Sequence, residues 1–442
     1  MSTTNPALVT DKKEPTPLYR WMVLLFLSIA MFGNYYVFDS ISLVADQLKA
    51  GLHFTDLDIG QLYSAYSLAA LLVLVFGGIL VDKWGTKKSA LFFAVICTAS
   101  GFIVAFSSNL YLMLAGRFLL GAGSETLIVA ITVAIAKWYK GKVLSFAMGL
   151  NLFFARSGTV AVDNSPTIFP GLYSGGYSSP LFVAALIGIL TLGGILVYYI
   201  IETSGEKKFV LESGGKTEKL NLKSLFKFNK SFWYITLLCV TFYSAIFPFR
   251  TFAVKFFMEA HHLPRESAGW MISNLPLAAM IATPLIGLMV DYIGKRAMLM
   301  TIGSILLLPV YLLMAYSNLS LYVPVIMMGI AFSLIPAVMW PSVAYIVEEE
   351  RLGSGYALMS WIQQIGMMLF PLIIGWANDF AGASAANPGG YDLGMWIFSI
   401  LGILGLIFAY LLRKAETGPH GHGLELSKAE AEKKKLAVES GS

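Results

Sequence analysis

Charge is scarce in this sequence. Asp, Glu, Lys and Arg make up 13% of its 442 residues, against about 25% in an ordinary soluble domain. That shortage excludes a soluble enzyme, a disordered chain and a nucleic-acid binder. Cysteine is nearly absent as well. Cys97 and Cys239 both fall inside apolar runs, so neither a disulfide framework nor a thiolate metal site is indicated. Histidine is missing from every apolar run, because His53, His261, His262, His420 and His422 fall in loops or the tail. A histidine proton relay within the membrane is thereby excluded. The sequence carries no Walker motif for nucleotide phosphates, no nucleophile–base pair and no metal-ligand spacing. Catalytic chemistry and a cofactor are not expected. His420-Gly421-His422 reads as part of a solvated tail rather than a metal site.

What is abundant is apolar surface: 57% of residues are hydrophobic, and the mean hydropathy is +0.70. A membrane-crossing helix needs about 20 mostly apolar residues. Twelve such runs are present, at 21–44, 58–81, 88–107, 110–136, 143–163, 180–201, 232–257, 267–290, 297–316, 320–346, 354–379 and 392–412. The first is too long and too weakly flanked for a cleaved signal peptide. The expected organisation is an all-α membrane protein: a tail at 1–20, a six-helix bundle at 21–201, a polar linker at 202–231, a second bundle at 232–413 and a tail at 414–442.

Orientation follows from the basic residues, which concentrate on the cytoplasmic side of membrane proteins. With the N-terminus inside, all of the 31 Lys and Arg lie in cytoplasmic segments except Lys49, Arg117, Arg156, Arg250, Lys255 and Arg265. Both termini are therefore expected in the cytoplasm.

The loop after the second run reads Gly78-Ile79-Leu80-Val81-Asp82-Lys83-Trp84-Gly85-Thr86-Lys87-Lys88. The loop after the eighth reads Gly287-Leu288-Met289-Val290-Asp291-Tyr292-Ile293-Gly294-Lys295-Arg296. Gly, Asp and Gly recur at one constant offset, as an internal duplication requires. The glycines permit close helix approach and a tight turn. Asp82 is placed to cap a neighbouring helix and meet basic residues such as Lys87, and Asp291 repeats it. These loops are expected to gate the cytoplasmic ends.

Charges inside the runs are costly and normally face a cavity or a partner. Arg117 and Glu125 lie in the fourth run, Arg156 and Asp163 in the fifth, Asp39 in the first, and Arg250 and Lys255 in the seventh. Glu125 stands twelve residues before Lys137, or about 18 Å of helix. Arg156 stands fourteen residues after Lys142, or about 21 Å. The two therefore sit at similar depth on adjacent helices. They form either a dipolar site for a zwitterion or an ion pair locking the two helices. Lys255 is placed to snorkel outward. Gln363 and Gln364 lie about 15 Å in from Gly353, where an amide meets a peptide bond or another helix. Tyr35, Tyr36, Tyr66, Tyr243, Trp340 and Trp361 supply aromatic surface.

The duplicated loop resembles the signature of the major facilitator superfamily. That resemblance implies two pseudo-symmetric six-helix halves with a central site and alternating access. Arg117-Phe118-Leu119-Leu120-Gly121-Ala122-Gly123 looks like the fourth-helix motif of proton-linked members, which implies for Arg117 either a coupling or gating role or one in helix packing; Arg250 follows Phe247-Pro248-Phe249, where a proline weakens the helix. A closer resemblance, to the lysosomal dipeptide transporter family, rests on segments spread in order along the chain. They are Tyr19-Arg20-Trp21, Phe32-Gly33 with Asp39, Gly116-Arg117-Phe118 to Gly123-Ser124-Glu125, Trp138-Tyr139-Lys140-Gly141-Lys142, Ala155-Arg156, Phe247-Pro248-Phe249, Lys255-Phe256-Phe257, Asn274, Trp340-Pro341 and Ile362-Gln363.

The family's members are dipeptide uniporters whose fourth-helix glutamate and fifth-helix arginine bind the two peptide termini. The resemblance implies those roles for Glu125 and Arg156. Tyr35, Asp39, Tyr243, Asn274, Trp340 and Gln363 complete the expected substrate set, and Gly78, Asp82, Gly85, Lys87, Arg117, Asp291 and Arg250 the expected gating and coupling set. The expected partners are a small-molecule cargo and the lipid bilayer, with no nucleic acid, for a monomer. The family's animal members use a dileucine signal and a glycosylated accessory subunit. This N-terminus shows no dileucine, and Asn318-Leu319-Ser320 is the one outward acceptor sequence. A prokaryotic plasma membrane is therefore expected, with a lysosomal membrane as the alternative; the accessory subunit is expected only in a eukaryotic setting. Two rival readings are a proton-coupled carrier of organic anions or drugs using Arg117, Glu125 and Asp39, and a transport-inactive receptor or scaffold.

Overall fold

The structure, a computed structural model, describes residues 14–139, 143–209, 228–348, 351–419, 421–427 and 430. Long helices occupy the place of every apolar run. The first half holds α1 (Pro17–Asp39), α2 (Asp56–Trp84), α3 (Thr86–Ala105), α4 (Leu110–Tyr139), α5 (Leu144–Asp163) and α6 (Ser178–Lys208). The second holds α7 (Lys230–His261), α8 (Arg265–Ile293), α9 (Arg296–Leu307, resumed at Val310–Tyr316), α10 (Tyr322–Ile346), α11 (Leu352–Phe380) and α12 (Asp392–Glu416). Among the described residues, ten spans are long and apolar enough to cross a membrane, and eleven when the bent α2 is counted as one. The remaining helix, α5, carries Arg156 and Asp163 and little continuous apolar sequence.

The duplication seen in the loops governs the packing. In the first half α1 packs on α5 and α6, α4 on α2 and α3, and α3 on α6. In the second half α7 packs on α11 and α12, α10 on α8 and α9, and α9 on α12. Adding six to each label of the first set gives the second. The halves meet through α2 against α11 and α5 against α8, two contacts that exchange under the same operation. The repeated glycines end α2 and α8 alike: Gly85 has φ 77° and bonds Val81 O at 2.9 Å, and Gly294 has φ 69° and bonds Val290 O at 2.8 Å. Those angles favour glycine, which lacks the Cβ that makes them costly.

Close helix approach is fixed by other glycines. A Cβ on Gly121 of α4 would strike the Tyr66 backbone of α2, and one on Gly158 of α5 would strike the Phe32 backbone of α1. These two approaches set where the polar residues of α4 and α5 point.

Polar caps define the ends. Thr55 and Asp58 form a capping box at the start of α2, which satisfies two backbone donors reciprocally. Asp379 of α11 reaches across the halves and accepts from Asp56 N at 2.8 Å and Leu57 N at 2.7 Å. The α6 helix runs on past Ile201 to Lys208, so the segment expected as linker begins as helix; residues 210–227 of it lie outside the described residues. The described tail is packed rather than solvated. Leu424 is buried, Leu424 O accepts from Arg296 N at 2.8 Å, and Glu425 Oε1 accepts from Met298 N at 3.0 Å. His422 bonds the buried Glu416 at 2.8 Å; its companion His420 lies outside the described residues.

Candidate functional site

A cavity of about 180 Å³ lies between the halves. Its first-half wall comes from Tyr35 on α1, Tyr66 on α2, Glu125 on α4 and Arg156 on α5; its second-half wall comes from Tyr243 and Phe247 on α7 and Gln363 and Gln364 on α11. Asn34, Phe38, Ser124, Ile128 and Met367 fill the gaps.

Glu125 and Arg156 do not pair. Glu125 Oε1 accepts from Tyr66 OH at 3.0 Å and from Gln364 Nε2 at 3.4 Å. The Arg156 guanidinium lies 6.0 Å from the centre of the Tyr35 ring and 5.3 Å from that of Phe332, within reach of cation–π attraction. Among the described residues it makes no hydrogen bond or ion pair. The ion pair that would have locked α4 to α5 is therefore not formed. A carboxylate and a guanidinium instead face one cavity, each with capacity left for a ligand.

Tyr35, Tyr243 and Gln363 of the expected set also line this cavity. Trp340 stands behind it, donating from Nε1 to Tyr243 OH at 3.1 Å. Asn274 is not brought in: its amide donates to Trp270 O at 2.9 Å and Met271 O at 3.2 Å on its own helix. Asp39 is not brought in either. It accepts from Thr159 Oγ1 at 2.8 Å and lies 3.9 Å from Arg250. Tyr66, Gln364 and Phe247 belong to the cavity although the expected binding set omits them. Their signal was present, since all three are polar or aromatic residues near mid-span.

The end of the molecule distant from the chain termini is closed by ion pairs that cross between the halves. Arg250 of α7 bonds Asp163 of α5 at 2.9 Å and Ile272 O at 3.4 Å. Lys255 bonds Asp56 at 2.8 Å and Glu259 at 3.4 Å, with its side chain 1% exposed. It is buried in this lock and does not snorkel, because Asp56 approaches from the other half. Lys49 reaches the same Asp56 at 2.8 Å. Arg265 pairs with Asp46. Ser64 Oγ donates to Met368 O at 2.6 Å. Among the described residues, the hydrogen bonds and ion pairs that join the halves lie at the level of Glu125–Gln364 or nearer this closed end.

Arg117 sits within the first half, 1% exposed. Its Nη1 donates to Phe38 O at 3.0 Å and its Nε to Leu62 O at 3.2 Å. The rings of Phe38, Tyr63 and Tyr66 surround its guanidinium at 5.1, 4.8 and 5.7 Å. It ties α4 to α1 and α2 behind the cavity wall. At the terminal end, Lys87 pairs with Glu206, and Lys137 with Glu202 at 2.5 Å and Glu206 at 3.2 Å. These bonds hold α3 and α4 to α6 within one half. Gly78 and Asp82 lie near the end of α2 and Asp291 near the end of α8; the Asp291 side chain lies outside the described residues.

The pattern of the family described as Major Facilitator Superfamily matches residues 27–255 and 249–438. A human protein named lysosomal dipeptide transporter MFSD1 is 28% identical over 426 residues, covering 92% of this chain and 89% of that one. A Bacillus subtilis protein named probable galactarate/D-glucarate transporter GudP is 24% identical, covering 93% and 98%. Among solved structures, a bacterial homologue of the human lysosomal transporter Spinster, in an inward-facing and unoccupied conformation, superposes with a TM-score of 0.71 at 16% identity, covering 90% and 98%.

Proposed function

The chain belongs to the Major Facilitator Superfamily and is a secondary transporter, and we propose that its cargo is a dipeptide or a similar small zwitterion. The observation that carries this reading is the pair of opposite charges in one cavity, Glu125 and Arg156, neither bonded to the other. Glu125 meets an α-ammonium through a charge-assisted hydrogen bond. Arg156 presents a planar fork that matches a carboxylate with two parallel bonds. Tyr35, Tyr243 and Phe247 offer ring surface to the side chains between. The likeness to the dipeptide transporters supports the same assignment.

A sugar diacid fits less well. It satisfies Arg156 but brings a second carboxylate toward Glu125, and like charges in a desolvated site repel. In this reading the basic terminal end faces the cytoplasm of a prokaryotic plasma membrane, and the closed end faces out. The cavity is then loaded from the cytoplasmic side, and cargo moves as uniport by alternating access in a monomer.

The test is thermal stabilisation of purified protein, since a ligand that binds the folded state raises apparent stability by mass action. A free dipeptide is expected to raise the melting temperature. Its N-acetyl and C-amide forms should each do so less, and glucarate should not. Stabilisation by glucarate with none by any dipeptide would refute the reading.

A further inference from the structure

Among the described residues, Gln364 is the residue of the second half that hydrogen-bonds Glu125. It lies on α11, and its Nε2 donates to Glu125 Oε1 across the halves at 3.4 Å. An ionised carboxylate only accepts, so the amide must turn its nitrogen toward Glu125. That choice fixes the other atom. Gln364 Oε1 is enclosed, and among the described residues no donor reaches it. An enclosed acceptor without a donor is unfavourable, and the bond that enforces it is long and weak.

An ammonium group reverses this balance. It carries donors only and needs several acceptors around it. Glu125 supplies one from the first half. A half-turn of the Gln364 amide supplies another from the second half, because the turn exchanges Nε2 for Oε1 at the same place. The terminal torsion of glutamine is broad and roughly two-fold, so the turn meets little resistance. With the site empty, two acceptors facing each other would repel; with an ammonium between them, both are satisfied.

We propose that Gln364 is a specificity-determining residue that completes the acceptor set for the cargo's ammonium from the opposite half. This rests on the dipeptide reading and deepens it. The cargo's N-terminus is then gripped by both halves at once, and selection for a free amine is shared by α4 and α11. The other glutamine, Gln363, meets Cys239 Sγ at 3.6 Å through its Oε1 and has no bond to Glu125, so the assignment is particular to Gln364.

The test compares wild type with Gln364→Met, which keeps length and removes both polar atoms. Affinity is measured for Ala-Ala, N-acetyl-Ala-Ala and Ala-Ala-amide. A hydrogen bond to a charged group corresponds to roughly a ten- to hundredfold change in affinity. Ala-Ala and Ala-Ala-amide should both weaken by about that factor in the variant, and N-acetyl-Ala-Ala by less than about threefold. Gln364→Asn, which keeps the amide but shortens its reach, should weaken the same two ligands, and it serves as the test where the Met variant does not fold. Equal weakening of all three ligands, or of none, overturns the proposal while leaving the dipeptide reading intact. A wild type that binds Ala-Ala and N-acetyl-Ala-Ala equally well overturns the ammonium assignment of Glu125 and Gln364 together.

Discussion

A carboxylate and a guanidinium at similar depth were legible from the sequence because depth is only a count of residues from a basic loop. Which way each side chain points was not. One residue along a helix turns the side chain by about 100°, and apolar patterning fixes that angle poorly in a helix that is hydrophobic all round. Glu125 and Arg156 face the cavity, whereas Asn274 turns back on its own helix. Asp39 came out in the lock because α1 ends there and the chain enters a short 3₁₀ turn. At this scale the assignment predicts a split by ligand. Glu125→Gln keeps shape and loses charge, and should weaken a free dipeptide by about 1.5–3 kcal/mol while barely changing its N-acetyl form. Arg156→Lys keeps charge and loses the fork, and should do the same to the free dipeptide while sparing the C-amide. Titration calorimetry of the two variants with the three ligands reads this directly. Equal losses across ligands would mean that both residues act through folding.

Elements meet through pairings that no local pattern announces. The helices themselves follow from run length, and the proline-bearing α7, α8, α10 and α11 persist because neighbouring helices satisfy freed backbone groups. The lock between α5 and α7 is different, since Asp163 and Arg250 are far apart in sequence and nothing in either segment names the other. Its energetics are clear once seen. Removing one partner of a buried ion pair costs about 3–5 kcal/mol. Arg250→Met leaves Asp163 and Asp39 without their shared cation, but only while this end is closed. The variant should therefore spend more time open there. A cysteine at Ser42, 6% exposed beside the lock, should react at least tenfold faster with an impermeant maleimide in Arg250→Met than with Arg250 present. An unchanged rate would show that the pair does not hold the gate.

The architecture of the whole molecule was the most legible part. One repeated loop implied two equivalent halves, and the contacts of α1–α6 recur in α7–α12 with the same pairing. The state of the cycle was not legible, because it depends on which end the inter-half bonds occupy. Asp82 lies at the terminal end, remote from the cavity, so Asp82→Asn should slow exchange at least fivefold while dipeptide affinity stays within about twofold. Parallel loss of both would mean that the loop serves folding. The central claim is that this molecule carries a zwitterionic dipeptide down its own gradient, and counterflow tests it most directly. Proteoliposomes loaded with unlabelled Ala-Ala, at equal pH on both sides, should transiently accumulate external labelled Ala-Ala, and Glu125→Gln should abolish the overshoot. Absence of counterflow at equal pH, with uptake appearing only when a proton gradient is imposed, would contradict the account.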